Sequence, residues 1–97
     1  ILSNLNKALN GCAEQYWIQD CTAALENILV AATSFGLGSV WLGCHPNPDR
    51  EEAVRKAFSI PAEAIPLAIA YVGWPAETPE PRTQYEASRV HWNQYAG

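Results

Sequence analysis

The sequence predicts a small α+β domain, and three observations carry that expectation. A long helical pattern runs through Trp17 to Phe35, it stops at Gly36-Leu37-Gly38 before the strand-like stretch GSVWLG, and a second apolar run, PLAIAYVG, lies between Pro66 and Gly73.

The helix pattern begins at about Glu14. Apolar residues recur at Ile18, Cys21, Leu25, Ile28, Leu29, Ala32 and Phe35, the spacing of one helical face, and Gly36 supplies the stop. Ala23, Ala24, Ala31 and Ala32 let another backbone approach without loss of helix propensity, so the helix is expected to be buried on more than one side. Glu26 and Asn27 form its solvated edge. Upstream, Leu5 to Asn10 can make one or two helical turns, ended by Asn10-Gly11.

Gly38 to Gly43 is short, partly β-branched and bounded by glycines, which fits a brief buried strand. The segment His45-Pro46-Asn47-Pro48 cannot extend it, because proline lacks the donor a ladder needs. A second helix is expected to start with Asp49 as cap and Glu51 and Glu52 in its first turn, where the helix dipole favours acids. Val54, Ala57 and Phe58 are its expected apolar face. The run from Pro66 to Gly73 reads as a strand covered on both faces. Trp74-Pro75 closes it, and residues 76 to 81 form a proline- and glutamate-rich loop. The aromatic ending, Tyr85 to Tyr95, has too little chain after it to build a new layer and is expected to dock on an existing surface or on another protomer.

Composition narrows the function. Ninety-seven residues make a small core, yet 48% of them are hydrophobic, so part of the apolar surface is expected to be covered by a partner. The net charge is −4, with Lys7, Arg50, Arg55, Lys56, Arg82 and Arg89 as the strong cations, which argues against nucleic acid and against anionic membranes. No apolar run approaches membrane-spanning length. Cys12, Cys21 and Cys44 are an odd set with no C-x-x-C pair and no zinc spacing, which points to reduced thiols in a cytoplasm and to no metal site. The adjacent Cys44 and His45 have no acidic orienter at a recognisable offset, so a structural role is expected for them. The chain starts at Ile1 and contains no methionine, and Ile1-Leu2 reads as the tail of an apolar strand, so an incomplete protomer is the working expectation.

Four pieces in order resemble the C-terminal half of the FMN-dependent nitroreductase family: WIQDCTAALENILVAA, GLGSVWLG, PLAIAYVGWPAE and PEPRTQYEASRVHWNQY. The opening LNKALNGCAEQYW is similar to the stretch that precedes the long helix in one subgroup, so the likeness covers nearly the whole chain. The resemblance implies an α+β fold with a long central helix packed on a mixed sheet. It also implies a cytoplasmic homodimer that binds FMN at the subunit interface. That flavoprotein passes hydride from NADH or NADPH to a small-molecule acceptor such as a nitroaromatic, a quinone or a halogenated tyrosine. Residues 1–97 would then be the C-terminal portion of a single domain whose N-terminal half, with its arginine- and serine-bearing cofactor motif, is absent.

On that resemblance Val40, Trp41, Leu42 and Gly43 match the turn beside the flavin ring, where a bare glycine backbone can approach closely and offer N–H groups. Arg82 matches a basic residue on the FMN phosphate, a task suited to an arginine fork. A second basic residue two positions on is replaced here by Gln84. Of the four tryptophans, Trp17, Trp74 and Trp92 read as core or interface anchors, and Trp41 alone gains a flavin role from its motif. The flavin carries the chemistry, so no side chain is assigned as acid, base or nucleophile. The competing expectation is a fragment that acts as a non-catalytic dimerisation or binding module. A small helical module unrelated to flavin is disfavoured by the buried-strand pattern at Leu67 to Val72.

Overall fold

The computed structural model describes the backbone of residues 2–4 and 13–95, with side chains from Tyr16 to Tyr95. The expected turns at Leu5 to Asn10, together with Gly11 and Cys12, lie outside the described residues. The elements run β1 (Leu2–Asn4), α1 (Ala13–Ser34), β2 (Gly38–Gly43), α2 (Pro48–Phe58), β3 (Ala64–Pro66) and β4 (Ala68–Gly73), followed by a 3-10 turn at Ala87–Arg89. The described strands form two antiparallel pairs, β1 with β3 and β2 with β4. This is the α+β class expected, but the strand pairs among the described residues are antiparallel, where the expectation is a mixed sheet.

The long helix ends as its sequence dictates. Gly36 takes φ +74°, and its N–H reaches Thr33 O at 3.0 Å while Leu37 N–H reaches Ala32 O at 2.9 Å. That pair of bonds is the Schellman stop, and a glycine makes it without a Cβ penalty. Trp17, Leu25 and Ala32 are buried on the inner stripe of α1, with Cys21 and Leu29 half-buried beside them. Ile18, Ile28 and Phe35, expected on that face, stay exposed because the short strands reach only part of the helix. Among the described residues α1 is buried on one side, and Ala23, Ala24 and Ala31 are exposed.

The second helix is capped by Asn47 and not by Asp49. The Asn47 side chain accepts from Arg50 N–H at 3.1 Å, Pro48 opens the helix, and Asp49 sits in the first turn. Asparagine two residues before the expected cap wins because Pro48 already has the helical φ and needs no partner for its nitrogen. Of the expected apolar face only Val54 is half-buried, while Ala57 and Phe58 are exposed.

The run from Pro66 to Gly73 is broken, not continuous. The carbonyl of Leu67 accepts from both Cys44 N–H at 2.9 Å and His45 N–H at 3.0 Å, so β3 ends and β4 begins on either side of this residue. Leu67 and Ala68 are buried with Trp17 and Leu25, and Trp41, Ile65, Ala70 and Cys21 pack around them. Farther along, Tyr71, Val72 and Gly73 are exposed, so the expectation of a strand covered on both faces holds only at its beginning. Helix α1 packs against one face of this two-stranded ribbon, and α2 reaches the other face only at its Leu42–Ile69 end.

Candidate functional site

The expected flavin turn occupies β2, whose six residues span about 17 Å. Its register with β4 places Trp41 opposite Ala70 and Gly43 opposite Ala68. The Cys44 N–H bond to Leu67 O continues this ladder by one residue. Antiparallel pairs alternate between bonded and non-bonded, so residues 38, 40 and 42 bond to β4 while the backbone groups of Ser39, Trp41 and Gly43 turn to the opposite edge. Among the described residues no strand covers that edge.

Side chains alternate as well. Trp41 packs its indole against the cluster of Trp17, Leu25, Leu67 and Ala68, so the part of it left for a ligand is its backbone. Val40 and Leu42 point to the other face and are exposed. Gly43 has no atom within 4 Å of where a Cβ would stand, which leaves its α-carbon open to close approach. Beside it, Leu42, Ile69 and Val54 line a mainly apolar groove of about 290 Å³ that also includes Cys44 and Arg50.

A hydrogen-bonded turn joins this strand end to α2. Asn47 N–H donates to Cys44 O at 2.9 Å, and Arg50 Nη1 donates to Gly43 O at 3.2 Å. His45 Nδ1 lies 3.0 Å from Glu51 Oε1, and its ring meets Trp17 edge-on at 4.9 Å. A carboxylate accepts, so Nδ1 carries the proton. Glu51 is thus an acidic partner for His45 that the sequence did not reveal, because the turn at 44–47 folds α2 back over the strand end. Cys44 is buried with Sγ 3.9 Å from Leu42 O, which gives the thiol a structural place. Arg50, Glu51 and Leu67 were not legible as contributors; the Asn-Pro pair before a charged helical run was the available signal for the cap and hence for the turn.

Arg82 lies apart from Gly43, in an open groove of about 760 Å³ at the Gly38 end of β2, together with Thr33, Leu37 and Pro75. Among the described residues it has no ion pair. Glu77 and Glu80 line the same groove, so the anion-attracting field of Arg82 is opposed locally. Val40 and Leu42 therefore share one face of the strand and Gly43 lies on the Trp41 side of it, whereas Arg82 belongs to the far end. The Gly43 carbonyl is taken by Arg50, and the N–H and open α-carbon that remain fit close approach by a planar heterocycle with acceptor atoms. The Arg82 groove offers one guanidinium against two carboxylates.

The nitroreductase family model matches residues 10–74. The chain belongs to the nitroreductase family. A Methanothermobacter thermautotrophicus protein described as an NADH dehydrogenase/NAD(P)H nitroreductase is 47% identical over 76 residues, covering 78% of this chain and 40% of that protein. A protein of the same description from Archaeoglobus fulgidus is 34% identical over 102 residues, covering 94% of this chain and 59% of its own length. Among solved structures, a similarly described protein from Bacteroides thetaiotaomicron superposes with a TM-score of 0.83 at 38% identity, covering 97% of this chain and 52% of that one. An FMN-dependent nitroreductase from Clostridium difficile shares the fold, with a TM-score of 0.80 at 20% identity. This nitroreductase chain thus spans about half the length of the relatives it matches. Among the described residues no helix is long and apolar enough to cross a membrane.

Proposed function

We propose that this nitroreductase chain forms one wall of an FMN site in a homodimeric, cytoplasmic NAD(P)H-dependent oxidoreductase. The observation that carries the reading is the outward edge of β2, where Gly43 combines an open α-carbon with backbone groups turned away from β4. When bound, FMN supplies the acceptance of hydride from NADH or NADPH and its delivery to a small-molecule acceptor such as a nitroaromatic or quinone. The chain's own residues bind and orient. Gly43 N–H would donate to an acceptor atom of the flavin, the backbone of Trp41 would lie beside it, and Val40 and Leu42 would help exclude water from the site. Arg82 contributes one charged fork to the phosphate, with Gln84 in place of a second cation. No side chain here is assigned as an acid, base or nucleophile.

The test is titration of FMN into the purified 97-residue chain, followed by flavin fluorescence, with anaerobic NADH and NADPH addition to any complex. Saturable one-to-one binding and bleaching of the flavin band by either nucleotide are expected. A second reading, a non-catalytic dimerisation or binding module, is favoured by the carboxylates beside Arg82. Absence of FMN binding, with self-association retained, would select it.

A further inference from the structure

We infer that Arg50 is a positioning residue: by holding the Gly43 carbonyl it locks the glycine so that its N–H is presented outward to the ring edge of the ligand. The ligand's identity rests on the flavin reading above; the locking does not. Glycine loses more conformational freedom on ordering than other residues, so a glycine that must offer a donor at one angle needs both flanking peptides fixed. On one side, Leu42 belongs to a bonded pair of the ladder with Ile69. On the other, the Gly43–Cys44 peptide is held at both polar ends, its carbonyl by Arg50 Nη1 at 3.2 Å and its N–H by Leu67 O at 2.9 Å. The anchor is itself anchored. Arg50 N–H bonds to the Asn47 side chain at 3.1 Å, and Asn47 N–H closes the turn onto Cys44 O at 2.9 Å. Arg50 never has to touch the ligand for this role, and its side chain is exposed enough that removing it leaves the core intact.

The experiment uses the 97-residue chain labelled with 15N-glycine, which carries six glycines, as wild type and as Arg50→Ala and Arg50→Lys. Gly43→Ala identifies the Gly43 resonance by its disappearance. In the absence of ligand, Arg50→Ala is expected to shift and broaden the Gly43 amide while the Gly36 and Gly73 amides stay in place. With FMN, its dissociation constant is expected to rise about five- to tenfold, the effect of losing one hydrogen bond of ordinary net strength. Arg50→Lys, which keeps one donor, should recover part of both effects. An unmoved Gly43 amide in Arg50→Ala overturns the locking. Equal FMN affinity in wild type and Arg50→Ala overturns the positioning role. If the wild type binds no FMN, the flavin reading fails together with the ligand half of the inference, and the ligand-free amides alone decide the locking.

Discussion

At Gly43 the space above the α-carbon is empty and φ is ordinary, so a methyl group placed there meets nothing in the chain itself. Gly43→Ala is therefore expected to leave the denaturant midpoint unchanged or slightly higher, since alanine orders more readily in a strand. FMN affinity is expected to fall about tenfold, because the same methyl stands where a flat ring approaches. Parallel unfolding and flavin titrations check this, and equal affinity would remove Gly43 from the site. Cys21 supplies a second residue-level expectation. Burial, aided by the negative charge of Asp20, raises its thiol above the ordinary value of 9.0. The folded pKa exceeds the unfolded one, so this group's contribution is fully present below pH 9 and is lost as pH rises through the raised value. Alkylation of Cys21 by iodoacetamide at pH 9 should be slower in the folded chain than in urea, and the denaturant midpoint should decline above that pH. Equal rates in the two states would contradict burial as the cause.

Between residues and the whole lies α2, an element whose start is fixed by one side chain. Asn47 accepts the Arg50 N–H, Pro48 enters with a preset φ, and Ser59 ends the helix at φ +54° with its N–H on Arg55 O. Arg55 Nε then ties the helix to β3 through Ala64 O at 3.3 Å. Asn47→Ala should lower stability by about 1 kcal/mol. It should also loosen the turn that presents Gly43, so urea unfolding and the Gly43 amide should respond together. A loss confined to Asp49→Ala would instead restore the cap that the acidic run first suggests. The strand break at Leu67 is governed by the same turn, since one carbonyl accepts two successive N–H groups from it.

For the whole molecule, the dimensions exceed those of a compact domain. The radius of gyration is 17.2 Å, against about 12.5 Å for a compact domain of this length. Trp74 is 82% exposed, Trp92 85% and Val30 61%, and the loop that carries Arg82 borders an open groove against Thr33, Leu37 and Gly38. An apolar surface this large is a docking surface or an aggregation liability. Sedimentation equilibrium is expected to give a mass about twice the 10.6 kDa of one chain, the commonest closed assembly. Val30→Glu, on the outer side of α1, should shift it toward 10.6 kDa without unfolding the helix, as far-ultraviolet circular dichroism would confirm. A wild-type chain that stays monomeric at high concentration would remove the homodimer from the proposal.

Local chemistry made much of this legible in the amino-acid order alone. The periodicity of α1, the glycine stop at 36, the β2 stretch between its glycines and the α+β class all follow from side-chain spacing and backbone freedom over a few residues. So does the family likeness, which rests on pieces in order. What the sequence could not convey were relations between distant backbones: the break at Leu67, the Trp41 indole turned into the core, Glu51 beside His45, and Arg50 on the Gly43 carbonyl. Hydrogen-bond parity across β2 and β4, and the return of α2 over the strand end, decided those, because the directions of an N–H and a C=O are set by the neighbouring strand and turn and not by the residue that bears them.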